Sequence, residues 1–231
     1  MRVAILAHSF SSAYAIHKAV ADASRHELFI VLSPSPQRSA LSSRLANFAR
    51  LILTTLKRFD FKPLQLLASG RLIFLGGSFH DQKSVEIFRK LKFDIGLHKA
   101  GVIYRDATID SFRLGILNHH IGILPAYRGR SVLEWSILQG DPVGITVFFI
   151  DAGIDTGARI VILEEVDISG CKSVAEAKAY LFDLDRVFFP RALALVGDGK
   201  TSFLTNDGSG PRYFVMSKLF QEAVDLMLET K

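Results

Sequence analysis

Residues 3–32, VAILAHSFSSAYAIHKAVADASRHELFIVL, set the fold class. The short apolar run Val3–Ala7 is followed by a polar turn, HSFSS at 8–12, and then by Ala15, Ile16, Ala19 and Val20 at helical spacing. A second apolar run, Leu28–Leu32, completes a strand-helix-strand unit, the opening of a doubly wound parallel sheet. Ala7–Ser12 contains no glycine, so the dinucleotide fingerprint of an NAD-dependent oxidoreductase is absent.

Outward from this stretch the alternation continues. LIFL at 72–75, the amphipathic stretch 81–91 and FDIGL at 93–97 lead to GILNHH at 115–120, a strand reaching its carboxyl edge. Strands follow at 145–150 and 159–163, and residues 173–196 read as one helix. TSFLT, the turn NDGSG and RYFVM then predict a hairpin, with a helix from about Ser217. The expectation is an α/β chain with a Rossmann-like, doubly wound and mostly parallel sheet flanked by helices, carrying a short C-terminal hairpin-helix extension. Its domains would be 1–196, catalytic, and 197–231, the extension.

Residues 37–62 interrupt the alternation with a helical segment whose apolar positions are Leu41, Leu45, Phe48, Ile52 and Leu56. Six bases (Arg38, Arg44, Arg50, Lys57, Arg58 and Lys62) accompany a single acid, Asp60. Two readings stand: an anion-binding or membrane-surface helix, and an ordinary surface helix with solvated charges, which is the commoner case and the expectation.

The 231 residues and 49% hydrophobic content suit one catalytic unit with a substantial core. Cys171 is the only cysteine, which excludes an internal disulfide and a thiolate zinc site and points to a reducing compartment. The first ten residues, MRVAILAHSF, hold too short an apolar run for a signal peptide, and no stretch approaches the roughly 20 apolar residues of a membrane span. A cytoplasmic location is expected. The net charge of +5 favours an anionic partner, but the bases are scattered and show no nucleic-acid recognition motif.

The chemistry concentrates between Asn118 and Gly157, NHHIGILPAYRGRSVLEWSILQGDPVGITVFFIDAGIDTG. Side chains alternate along a strand, so Asn118 and His120 share a side and His119 points away. An amide can donate to a carbonyl oxygen that becomes negative, an imidazole can manage the protons of an attacking amine, and a carboxylate such as Asp155 can orient and stabilise that imidazole. Spacing alone leaves open whether His120 is catalytic or a hydrogen-bonded structural histidine. The glycines of 151–157 are equally open to a tight turn alone.

Three ordered motifs resemble the folate-dependent formyltransferase family, whose members act on glycinamide ribonucleotide, methionyl-tRNA or nucleotide sugars. They are Asn118, His120, Leu124, Pro125, Tyr127, Arg128 and Gly129; Gly140, Asp141, Gly144 and Thr146; and Asp151, Gly153, Asp155, Thr156 and Gly157. The close resemblance covers residues 93–163. It implies Asn118, His120 and Asp155 as catalytic residues and 10-formyltetrahydrofolate as formyl donor, with Thr146 in support and no metal. It also implies a folate site at Val102, Ile103, Tyr104, Ile116, Ile150 and Asp151. The family commonly has His-Pro-Ser where this chain has His120, Ile121 and Gly122, and often a His at the position of Phe148; the first departure bears on acceptor identity.

Relatives acting on glycinamide ribonucleotide carry a Gly-rich phosphate loop after the first strand, whereas this chain has His8–Ser12. Those acting on methionyl-tRNA carry an additional C-terminal domain, whereas here about 35 residues follow the catalytic helix. The layout resembles the nucleotide-sugar branch. The expected acceptor is therefore an anionic small-molecule amine, an amino sugar on a nucleotide. Ser9, Ser11 and Ser12, expected beside the strand that ends at Asn118, would contact it, with Arg128 and Arg130 on a phosphate. Glycinamide ribonucleotide or methionyl-tRNA formylation, 10-formyltetrahydrofolate hydrolysis, and non-catalytic folate binding are the alternatives. The C-terminal extension is a candidate homodimer surface.

Overall fold

The strands form where apolar runs can be buried on both faces of a parallel sheet, and β1 (Arg2–Ala7) has Val3 to Ala7 wholly inaccessible to solvent. The computed structural model describes residues 1–35, 40–58, 60–157, 159–199, 202–206 and 208–229; Arg38 and Asp207 lie outside them. Two units result, Met1–Leu117 and Asn118–Lys231.

In the first unit β1 is followed by α1 (Phe10–Ala23), β2 (Glu27–Leu32), α2 (Ala40–Arg58), α3 (Lys62–Ala68), β3 (Leu72–Phe74), α4 (Gln82–Leu91), β4 (Ile95–His98), α5 (Asp106–Ile109) and β5 (Gly115–His120), whose last three residues belong to the second unit. All pairings here are parallel, in the order β3-β2-β1-β4-β5. Because β4 separates β1 from β5, residues 8–12 are not beside the strand that ends at Asn118, contrary to expectation. A strand between them satisfies the ladder of both.

The second unit continues with β6 (Arg128–Gly129), α6 (Val132–Gln139), β7 (Gly144–Phe149), β8 (Arg159–Glu165), α7 (Val174–Asp183), α8 (Asp185–Gly197), β9 (Leu204–Thr205), β10 (Arg212–Tyr213) and α9 (Lys218–Glu229). The doubly wound α/β class is the one the alternation predicts, with an antiparallel β7-β8 pair added. The single helix expected over 173–196 is two. α7 ends at Leu184, whose N–H is shared between the carbonyls of Tyr180 and Leu181, and α8 starts at Asp185 and runs on through Pro190, which offers no N–H to the carbonyl of Arg186.

The expected hairpin is also replaced. Its two runs do become strands, but β9 pairs antiparallel with β8, and β10 pairs parallel with β6. Each run finds a backbone edge elsewhere in the unit, and the segment between them lies on the loop before β6: a Cβ on Gly210 would sit 1.6 Å from the carbonyl oxygen of Pro125.

Candidate active site

The second unit holds all three residues expected to be catalytic. β5 ends in Asn118, half-buried, and His120, buried; His119, on the opposite side of the strand, packs its ring 5.7 Å from Phe188 and 6.1 Å from Phe189. The alternation of the strand thus separates the two histidines as the sequence predicts.

His120 is anchored at one ring nitrogen and faces a carboxylate with the other. Nε2 lies 2.7 Å from the carbonyl oxygen of Tyr127, which can only accept, so Nε2 carries the proton and donates it. Nδ1 stands 3.7 Å from Asp155 Oδ1, an ion pair whenever the ring carries a second proton. A Cβ on residue 122 would lie 2.8 Å from His120 Nε2 and 3.0 Å from the Tyr127 oxygen, so Gly122 leaves room for that hydrogen bond. This gives the departure from His-Pro-Ser a physical sense.

Asp155 is braced as firmly. It adopts the left-handed conformation, φ 51°, unusual for a residue with a Cβ. Its Oδ2 accepts from the backbone N–H of Gly129 at 2.9 Å, and its carbonyl accepts from Asn206 Nδ2 at 3.2 Å. Asp151 turns its carboxylate inward on the same loop, with Oδ1 accepting from Gly153 N at 2.9 Å and Thr156 Oγ1 at 2.7 Å. Beneath, buried Thr146 donates to the Gly122 carbonyl at 2.6 Å and accepts from Leu124 N at 3.1 Å, fixing the segment that follows His120.

Asn206 has no signal in the sequence that marks it as a site residue, and Gly129 stands there only as a member of the first motif. Asn206 is hidden in NDGSG, which reads locally as a turn, yet it is buried, donates to Asp155 and accepts from Gly208 N at 3.1 Å. Gly129 has φ 103°, and a Cβ there would meet the Tyr213 oxygen at 2.3 Å, so the β6-β10 pairing that places its N–H needs glycine. Tyr127 stacks on Tyr213 at 5.3 Å and donates its hydroxyl to Asp141; burial and that carboxylate push its phenol pKa up.

The remaining expected residues divide. Ile150 is half-buried against Leu124, Phe148 and Ile160, an apolar floor for the loop. In the first unit Ile103 is exposed and Val102 half-buried, but Tyr104 and Ile116 are buried and could offer a ligand only backbone groups. The Tyr104 hydroxyl pairs with His98 Nδ1 at 3.1 Å, and burial lowers the His98 pKa to about 4. Arg128 donates Nη1 to the carbonyl of Gly208, so that donor braces the extension instead of waiting for a phosphate, whereas Arg130 is exposed.

At the start of α1, Ser9 and Ser12 are half-buried and Ser11 is exposed. The Ser12 hydroxyl donates to the Ser9 carbonyl at 3.0 Å. The Phe10 N–H is already taken: it donates to Asn47 Oδ1 at 2.9 Å, while Asn47 Nδ2 donates to the His8 carbonyl at 3.1 Å. No group of three or more His, Cys, Asp or Glu suited to a metal occurs among the described residues.

An amide, an imidazole and a carboxylate can together polarise a carbonyl and accept a proton from an attacking amine, the equipment of an acyl-transfer enzyme. Residues 1–193 match the family described as formyl transferase, and the chain belongs to that family. It is 32% identical over 155 residues to the methionyl-tRNA formyltransferase of Methylobacterium nodulans, a match spanning 65% of this chain and 50% of that protein. The chain thus spans about half the length of the curated relatives it matches. A sugar N-formyltransferase from Shewanella sp. FDAARGOS_354 has a similar fold, with TM-score 0.65, 16% identity and coverage of 99% of this chain and 87% of that one. So has the formyltransferase PseJ from Anoxybacillus kamchatkensis, solved with UDP-4,6-dideoxy-4-formamido-L-AltNAc and tetrahydrofolate, with TM-score 0.57, 18% identity and coverage of 92% and 85%.

Proposed function

We propose that this chain transfers a formyl group from 10-formyltetrahydrofolate to a primary amine, with Asn118, His120 and Asp155 as catalytic residues. The observation that carries this reading is the setting of His120, whose Nε2 is fixed on Tyr127 O while Nδ1 faces Asp155 at 3.7 Å. Asn118 donates its amide to the formyl oxygen as that oxygen gains negative charge. His120 Nδ1 takes the proton released by the amine, and Asp155 stabilises the charged ring. The formyl carbon comes from the folate: its bond to the folate nitrogen breaks as the bond to the acceptor nitrogen is made, and the proton taken up by His120 goes to the departing nitrogen. The fit of the folate rests on the donor set and on the apolar floor of Leu124, Phe148, Ile150 and Ile160, with Asp151 as the polar edge. Val102, Ile103 and the backbone of Tyr104 and Ile116 are the contacts assigned to it in the first unit.

The acceptor we propose is an amino sugar on a nucleotide, in a cytoplasmic enzyme. At the start of α1, Asn47 already satisfies the Phe10 N–H, and the surrounding groups are serine hydroxyls and an imidazole, which suit sugar hydroxyls better than a phosphate. Arg130 is assigned to a nucleotide phosphate, and Arg128 to the extension first and to the phosphate through its remaining donors. Residues 1–196 are then the catalytic domain and 197–231 an extension that also completes its site through Asn206 and β10. The chain's likeness to methionyl-tRNA formyltransferases makes charged initiator tRNA the main competing acceptor.

The test is an acceptor screen with 10-formyltetrahydrofolate. Nucleotide-linked amino sugars, glycinamide ribonucleotide and charged initiator tRNA are compared, and product is read by mass. Replacing Ser11 and Ser12 by Ala should raise the KM for the acceptor far more than that for the folate. Formate release without acceptor would mark a hydrolase, and folate binding without turnover a carrier. Preference for tRNA or glycinamide ribonucleotide overturns the sugar assignment and leaves formyl transfer standing.

A further inference from the structure

In an ordinary surface helix the apolar stripe faces inward, and α2 does the reverse. Its inward residues against α1 and the rest of the first unit are Ser43, Asn47, Leu51 and Thr55, three of them polar, and all buried. Asn47 is spent on the α1 N-terminus, and the Thr55 hydroxyl on the Leu51 carbonyl at 3.0 Å. The stripe Leu41, Leu45, Phe48 and Leu56 runs along another face and is exposed at 69%, 62%, 48% and 64%. Phe61, at the N-cap of α3, extends it at 60% exposure. Runs of large exposed apolar side chains of this kind mark an interaction surface.

Charge selects the partner. The sequence of α2 carries Arg44, Arg50, Lys57 and Arg58 and no acid, and Lys62 follows at the start of α3. The nearby acid, Asp60, accepts from the Tyr14 hydroxyl at 2.5 Å, and that bond holds its carboxyl below the usual range. A second copy of the chain docking through this stripe would set these bases against their own equivalents, since a two-fold interface pairs a patch with itself. An anionic bilayer surface satisfies both halves, taking the aliphatic side chains at the level of the acyl boundary while the positive charge of the segment, whose Arg44 also donates to the Phe74 carbonyl at 3.3 Å, is drawn to its headgroups. No helix among the described residues is long and apolar enough to cross a membrane, so the contact is one that lies on the surface.

We propose that α2 and the start of α3 form a membrane-surface docking element that seats the protein on anionic lipid. The full-length chain should co-sediment with vesicles of phosphatidylcholine and phosphatidylglycerol about tenfold or more better than with phosphatidylcholine alone, and added salt should weaken that binding. L45Q and F48Q, which only exchange exposed side chains, should each reduce vesicle binding several-fold with the circular-dichroism melting curve and soluble turnover unchanged. F48W should show a blue shift and quenching by brominated lipid on adding the anionic vesicles. Equal retention by both vesicle types, retention by neither, or an F48W spectrum that does not respond overturns the proposal. So does a scattering measurement in which L45Q and F48Q abolish self-association while vesicle binding stays as in the unsubstituted chain, which would give the stripe to a second copy.

Discussion

Asn206→Ala tests whether the C-terminal extension belongs to the working site. The substitution removes the donor to the Asp155 carbonyl at 3.2 Å and the acceptor for Gly208 N at 3.1 Å, both at a side chain only 3% exposed. Leaving buried backbone groups unpaired costs about 1–3 kcal/mol, and for a chain of this size about 2 kcal/mol lowers Tm by roughly 4–8 °C. Asp155 holds a left-handed backbone at φ 51°, a conformation that neighbours must impose. If about 1–2 kcal/mol of that constraint is lost, the ratio of chains with Oδ1 facing His120 to chains without falls about 5–30-fold, and kcat falls by up to that factor while both KM values stay close to their original level. Asn206→Asp is the control, because it keeps the acceptor for Gly208 N and loses the donor to Asp155; it should recover part of the Tm and little of the kcat. The assay is steady-state formyl transfer beside a thermal melt. A melt shifted as expected with kcat unchanged within about twofold would refute the positioning role and leave Asn206 purely structural.

Other outcomes follow from the same geometry. Asn118→Ala, His120→Ala and Asp155→Ala should each lower turnover by about a hundredfold or more in folded protein, and near-normal turnover of His120→Ala would overturn the assignment. Thr146→Val keeps the shape but strips the Gly122 carbonyl and the Leu124 N–H of their partner, so a melt should show a loss of about 2 kcal/mol or more, with reduced turnover because the segment after His120 loosens. His17 and His98 both have pKa values lowered to about 4, chiefly by burial, against 6.5 when exposed. Between those values the unfolded chain binds more protons than the folded one, so stability should rise with pH from about 4 to about 6.5 and level off above. Melting curves across that range should show it, and the slope should be shallower in His17→Gln.

Where the sequence spoke clearly, one local rule sufficed. Uninterrupted apolar runs mark β1 and β2, and period-two alternation separates His120 from His119 before any contact is known. Three features were not readable because they depend on distant partners. The runs that became β9 and β10 carry every local sign of a hairpin, yet the edges of β8 and β6 compete for them successfully. The periodicity of α2 fixes which residues share a stripe but says nothing about whether that stripe faces the protein, and Asn47 settles it by capping α1 instead. Tyr104 sits in a loop assigned to folate, and only the Phe79, His80 and His98 rings around it reveal a core residue.

The pairing of β10 with β6 also orders events in time. Synthesis runs from the N-terminus, so Asn118, His120 and Asp155 leave the ribosome well before residues 204–213 can reach Asp155 and Arg128. A nascent chain carries all three side chains proposed for catalysis while its carboxylate loop still lacks its brace. The carboxylate loop is therefore completed only when a segment emerges to which no catalytic role is assigned.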